Sequence, residues 1–187
     1  MINNLIIQGC LRDDRKCQRM LYEYCFPIMM RVSKRYTINE DEAVESMNAS
    51  FLKILKKLDT IKDIQTLPAW VKQVSVNTSI DFYRAKKKYN ERNRFTIDNE
   101  YSTAQNTLFN NDFTESKMDS GEIFKLINQL PDTTREVLNL FSIDGYSHRE
   151  VASMLNISEE SSRWHLHRAR KMMNELLQEK NITFNAR

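Results

Sequence analysis

Arg163, Trp164, His167, Arg168 and Lys171 crowd into one short stretch of the chain. Guanidinium and ammonium groups hold phosphates, so a face built from them suits nucleic acid. The stretch that must position them is Ser147–Lys171, SHREVASMLNISEESSRWHLHRARK. It reads as two short helices joined by a tight turn. Ser147 and Glu150 form a capping box, in which the hydroxyl takes an orphan amide and the carboxylate reaches back. Val151, Met154 and Leu155 put an apolar stripe on that helix, and Asn156-Ile157 makes the turn. Ser158 caps the next helix, where Glu159 and Glu160 suit the positive N-terminal dipole. Ser162, Leu166, Ala169 and Met173 recur at i, i+4, i+7 and i+11, so they share its inner face. The five polar and aromatic residues fall mostly on the other faces. This is helix-turn-helix geometry, with an anchoring helix and a second helix aimed at a DNA major groove. The plainer alternative is a solvated helical hairpin.

A second group is the basic block Arg84, Lys86, Lys87, Lys88, Arg92 and Arg94. The net charge of the 187 residues is only +3, so the chain is no polycation. Two separate basic clusters on a near-neutral chain fit a nucleic acid touched at two places. Three Gly, three Pro and apolar residues at helical spacing predict an all-α protein. No apolar run approaches the ~18 residues of a membrane span. The start, MINNLIIQGCLRDD, lacks a basic n-region and a cleavage site, so no signal peptide and a cytoplasmic protein are expected. Cys10, Cys17 and Cys25 are odd in number and too widely spaced for a zinc pair, so buried small hydrophobes are the expected role.

In chain order, a short helix is expected over Asn3–Gly9. The next runs from Asp14 to Tyr36, with Pro27 expected to kink or break it. Asn39 or Asp41 caps a third helix that continues through Phe51, Leu52, Ile54, Leu55 and Leu58. Leu67-Pro68-Ala69-Trp70 opens a fourth, ending near Arg84. The segment from Tyr89 to Asp119 is rich in Asn, Ser, Thr, Asp and Glu, with isolated Phe95, Tyr101, Phe109 and Phe113, and reads as a linker with at most one short helix. Helices over Glu122–Leu130 and from Pro131-Asp132 then lead through Gly145 into the helix-turn-helix. Ile182–Arg187 is expected to fray. The domains are therefore 1–89, a linker over 90–119, and 120–187.

The chain resembles the sigma-70 family of RNA polymerase sigma factors, in the small extracytoplasmic-function (ECF) subfamily. Leu130-Pro131, Arg135, Gly145, Tyr146-Ser147, Glu150-Val151-Ala152, Leu155-Asn156-Ile157-Ser158 and Leu166-His167-Arg168-Ala169-Arg170 resemble the family's region 4. Glu45, Phe51-Leu52-Lys53-Ile54, Trp70, Asn77, Asp81 and Arg84 fall at the spacing of its region 2. The wording WHLHRARK is nearest to forms from the Bacteroidetes.

The resemblance implies a sigma factor that binds core RNA polymerase, through the β′ clamp helices and the β flap, and directs it to promoter DNA. The helix over Asp41–Leu58 would dock on the clamp helices through Glu45, Asn48, Phe51, Leu52 and Lys53, with core packing as the plainer role of Phe51. Ala49 and Asn48 depart from the acidic residue and the Gln frequent there. The −10 element would be read as single strand by Asn77, Asp81 and Arg84 and by a loop over Lys86–Arg94. In that loop Lys86, Lys87, Lys88, Arg92 and Arg94 would hold phosphates and Tyr89 would stack on a base. The plainer reading of the lysines is a solvated turn. Trp70 would be core, or else a melting wedge.

In the same resemblance the second helix of 120–187 lies in the −35 major groove. Arg163 would pair bidentately with a guanine, and Arg168 and Lys171 would position phosphates. Trp164 would meet a thymine methyl or the sugar-phosphate, and His167 completes the face. Ser162 replaces a Val of the family, so looser packing is expected there, while Arg170 is expected to pair with an acid of its own domain. An anti-sigma factor is an expected partner.

No Gly-rich phosphate loop, HExxH or nucleophile–base pair is present, so no enzyme, cofactor or small-molecule substrate is expected. His165 and His167 point about 200° apart on a helix, against a shared metal. The alternatives are a stand-alone helix-turn-helix regulator of duplex DNA and an adaptor that binds only proteins. Single-strand capture by the basic block separates the sigma reading from the regulator.

Overall fold

The computed structural model describes residues 2–93 and 120–179, and among them all regular structure is helical. The chain divides into two compact units, Met1–Thr107 and Leu108–Arg187. Most of the segment expected as a linker, with Phe95, Tyr101, Phe109 and Phe113, lies outside the described residues, as does the end expected to fray.

The first unit contains α1 (Asn4–Leu11), α2 (Arg15–Tyr36), α3 (Glu40–Lys56) and α4 (Leu67–Asn93), with 3-10 turns over Leu58–Thr60 and Ile64–Thr66. Its helix starts are set by side chains that accept orphan amides. Asn3 caps α1 through Ile6 N–H at 3.0 Å, Asp14 caps α2 through Lys16 and Cys17, and Asn39 caps α3 through Glu42 N–H at 2.8 Å. Leu21, Cys25, Met29, Met47, Ile54, Leu58, Leu67 and Val71 form the buried core. Between these larger core residues, α3 and α4 also bury small ones: Ala43, Ser46 and Ser50 on one helix, Ser75 and Ser79 on the other. Small side chains bring the two axes close. The hydroxyls are satisfied by Ser46 Oγ–Ser79 Oγ at 3.0 Å, Ser50 to the Ser46 carbonyl and Ser75 to the Val71 carbonyl, both 2.8 Å.

Three expectations change here. First, α2 runs unbroken through Pro27. Pro27 and Glu23, whose carbonyl loses its donor, are both exposed, so the gap is open to solvent. Second, α3 ends at Lys56, and Leu58 belongs to the 3-10 turn that follows. Third, α4 runs on to Asn93, so the loop expected over Lys86–Arg94 is helix as far as it is described. The run Ala85-Lys86-Lys87-Lys88 is made of good helix formers and has no Gly or Pro to stop it.

Gly9 is fixed by a close approach, because a Cβ there would overlap the Cys17 sulfur and lie 2.9 Å from its Cβ. Cys10 and Cys25 are buried and Cys17 partly so, all as free thiols. Burial pushes Cys10 up to about 11 and Cys25 up to about 12, which leaves both thiols protonated and inert.

The second unit contains α5 (Ser120–Ile127), α6 (Asp132–Leu138), α7 (His148–Leu155) and α8 (Glu159–Glu179). Helix α5 stops at Ile127, short of the expected Leu130, and a turn reaches Pro131. After α6 the chain widens into one π-type turn, Asn139–Ile143, closed by Asp144 N–H to the Asn139 carbonyl at 2.9 Å. Gly145 at φ +83° then reverses the chain, a conformation that favours glycine. Leu126, Leu130, Val137, Leu140, Val151, Leu155, Leu166 and Ala169 make the core. Arg135 and Glu136 are buried with them. The Arg135 guanidinium lies 3.4 Å from Glu136 Oε1 and 3.1 Å from Asp132 Oδ1. Burial pushes the Glu136 carboxyl up to about 8, against the lowering effect of Arg135.

Candidate nucleic-acid interface

The turn between α7 and α8 is built by local chemistry. Ser147 N–H donates to Glu150 Oε2 at 2.8 Å and Glu150 N–H donates to Ser147 Oγ at 3.3 Å, which closes the capping box. Asn156 adopts the left-handed conformation, φ 55° and ψ 51°, and ends α7. Ser158 Oγ accepts from Ser161 N–H at 3.1 Å and starts α8.

The face of α8 toward its own unit carries Ser162, Leu166 and Ala169, all buried, with Met173 half-buried. At 100° per residue, Arg163, His167, Lys171, Trp164 and Arg168 span an arc of about 140° on the opposite side. All five are exposed, Trp164 by 54%. Arg163 donates to Glu159 at 3.2 Å and Lys171 lies 4.0 Å from Glu175. The Arg168 guanidinium sits 5.2 Å from the centre of the Trp164 ring. His165, at the edge of the arc, turns inward to Thr134 of α6 at 3.0 Å.

Ser162 corrects the expected loose packing. Its hydroxyl lies 2.9 Å from His148 Nδ1, and the His148 ring stacks on Phe141 at 4.2 Å. The hydroxyl thus ties the first residue of α7 to the inner face of α8. Partial burial, and then the nearby Arg163, hold His148 below its usual range.

In the first unit Asn77, Asp81, Arg84 and Lys88 recur at i, i+4, i+7 and i+11, and all are exposed. They form one stripe along α4. Because the segment is helix, the successive side chains Lys86, Lys87, Lys88 and Tyr89 radiate at about 100° steps and do not line one pocket. Lys86 turns to α3 and pairs with Glu42 at 2.6 Å, while Tyr89 is 67% exposed. Lys53 of α3 reaches Asp81 at 2.8 Å. The two ion pairs join residues 28 and 44 positions apart, for which sequence periodicity holds no signal. Glu42 and the Thr134–His165 contact are the additions that the structure makes to the candidate set.

On α3, Asp41, Glu45, Asn48 and Leu52 form an exposed stripe, with Leu52 59% exposed. Phe51 turns away from it and meets the Tyr22 ring edge-on at 5.0 Å, and Lys53 is drawn to α4. Trp70 is half-buried against the core.

Residues 120–173 match the family model described as Sigma-70, region 4. The chain is similar to the RNA polymerase sigma factor SigZ of Bacillus subtilis, 28% identical over 157 residues, with 81% of each chain covered. It is also similar to the ECF RNA polymerase sigma-E factor of Haemophilus influenzae, 19% identical over 183 residues that cover 95% of this chain and 96% of that one. Among solved structures it is similar in fold to the sigma factor RpoE of Bartonella quintana, crystallised in complex with the anti-sigma factor NepR. The TM-score there is 0.57 at 18% identity, covering 86% of this chain and 96% of that one.

Proposed function

The chain belongs to the ECF sigma factors of the sigma-70 family and directs transcription initiation by RNA polymerase, and from that premise we propose how its residues divide the work. Sigma factors form a non-enzymatic family that binds RNA polymerase and promoters. The observation that carries the division is the outer arc of α8, inside the region 4 match and opposite a buried face.

Residues 120–187 bind the −35 element as duplex. Arg163 leaves Glu159 to take a guanine edge, a contact worth about 1–3 kcal/mol of discrimination. Arg168, Lys171 and His167 face the flanking phosphates, and Trp164 stands between them. Residues 1–89 bind the polymerase and the −10 element. The α3 stripe of Glu45, Asn48 and Leu52 lies on the β′ clamp helices, with Leu52 as the apolar anchor; Phe51 and Lys53 support it from behind. Asn77, Arg84 and Lys88 line the non-template strand, and Asp81 is kept from repelling phosphates by its pairing with Lys53. Tyr89 stacks on an unpaired base, which offsets part of the few kcal/mol needed to hold one out of the stack. Lys86 and Lys87 contribute general charge on other faces.

The segment over 90–119 links the two, and the β flap is the further contact of 120–187. No helix among the described residues is long and apolar enough to cross a membrane, and we place the chain in the cytoplasm. An anti-sigma factor is its regulator, as NepR is the partner crystallised with the Bartonella protein. A Bacteroidetes source rests on the WHLHRARK wording alone.

The test is reconstitution with core polymerase from a matched host and mapping of start sites on genomic fragments. Leu52→Asp abolishes association with core, whereas Arg163→Ala leaves association intact and loses the mapped starts. Association unaffected by Leu52→Asp overturns the α3 assignment.

A further inference from the structure

We propose that Trp164 is a positioning residue, whose indole holds the Arg168 guanidinium in place for a DNA phosphate. The proposal deepens the −35 assignment of α8 and rests on it. Three observations carry it.

First, Trp164 is more than half exposed on the outer arc, yet its ring has a neighbour that is tied to the core. The His165 ring meets it edge-on at 4.8 Å and 79°, and His165 is itself bonded to Thr134, which is buried in α6. The indole is therefore linked to the core by way of His165.

Second, the Arg168 guanidinium lies over this anchored ring at 5.2 Å, inside the range of about 6 Å in which a cation is drawn to an aromatic face. The residues are four apart, so the stacking follows from the helix itself. Third, the other long cations of the arc are engaged by carboxylates, Arg163 by Glu159 and Lys171 by Glu175. Arg168 makes no ion pair among the described residues. Among these residues no carboxylate is paired with its charge, and its side chain lies against an uncharged surface. A guanidinium held in this way meets a phosphate without first giving up a carboxylate, and with less rotamer freedom to lose.

The experiment is a double-mutant cycle in reconstituted holoenzyme, using a promoter duplex recovered from the start-site mapping. Wild type, W164A, R168A, W164A/R168A, W164F and R163A are compared in affinity and in its salt dependence. The expected result is a loss of about 3- to 5-fold for W164A and for R168A, the scale of an exposed cation–aromatic contact and one phosphate. Each lowers the salt slope by about one counterion. W164A/R168A is no weaker than R168A, and W164F keeps most of the affinity because a ring remains. Helical content and thermal midpoint of each variant serve as the folding control, and substitution at exposed positions leaves both unchanged. Losses that multiply in the double variant, or a W164A loss that changes base preference with an unaltered salt slope, overturn the positioning role while the −35 reading stands. If R163A, W164A and R168A are all silent, the −35 reading itself falls, and the proposal with it.

Discussion

Ser162 and Glu136 are polar residues sealed inside the second unit, and each has a testable cost. Ser162→Ala removes the partner of His148 Nδ1 in a partly buried setting, a change on the order of 1 kcal/mol. A denaturant titration of the full chain should show the loss, with the helix content of the folded state unchanged. Glu136 is read through its proton. Its carboxyl ionises near 4.5 when unfolded and at about 8 when folded. Between those values the folded state holds a proton that unfolding releases, so the stability is fully present below pH 4.5 and is lost as pH rises toward 8. At about 1.4 kcal/mol per unit the change is on the order of a few kcal/mol. Glu136→Gln should flatten that dependence in thermal melts. An unchanged slope would show that Arg135 keeps Glu136 ionised. His148 acts in the opposite sense: its folded value is lowered, so stability falls as pH drops below about 6.5.

At the scale of elements, α3 and α4 are coupled twice, once through their buried serines and once through exposed charges. Lys53–Asp81 and Glu42–Lys86 are both partly solvated, so each is worth about 0.2–1 kcal/mol. Their greater consequence is for the stripe on α4. Lys53→Met bares the Asp81 carboxylate beside Arg84 and should weaken binding of single-stranded −10 DNA by holoenzyme. Asp81→Asn made in the same chain should restore it. Failure of that rescue would assign Lys53 to the polymerase alone. Helix α2 offers a simpler test. Pro27 leaves the Glu23 carbonyl without its helical donor, so Pro27→Ala should stabilise the first unit by about 1 kcal/mol or more, read as a higher denaturation midpoint. Gly9→Ala should do the reverse, through the overlap with Cys17.

Over the whole molecule, what was legible in the sequence is what depends on neighbours in the chain. The capping box at Ser147, the turn at Asn156-Ile157 and the buried face of α8 are each decided within about one helical turn and agree with the sequence pattern, while of the two candidate caps for α3 it is Asn39 that serves. Helix α4 outruns its expected end near Arg84 because the lysine run after it favours helix by propensity. Pro27 leaves α2 unbroken because it lies on the wet side of the helix, which propensity alone does not register. The pairings of Lys53 with Asp81, Lys86 with Glu42, Ser162 with His148 and His165 with Thr134 left no trace, since each joins two helices and depends on their packing. These pairings decide which candidate side chains face outward and which are held back.

The tryptophans add a last consequence. One stands in each unit: Trp70 half-buried against a core, and Trp164 largely in water under a guanidinium. Excitation of the native chain therefore gives two emissions, a bluer one from the first unit and a redder, more easily quenched one from the second. Iodide should extinguish the redder band first. Promoter DNA should shield it. The chain thus carries its own pair of optical reporters, by which DNA engagement by the second unit is separable from changes in the first without any attached dye.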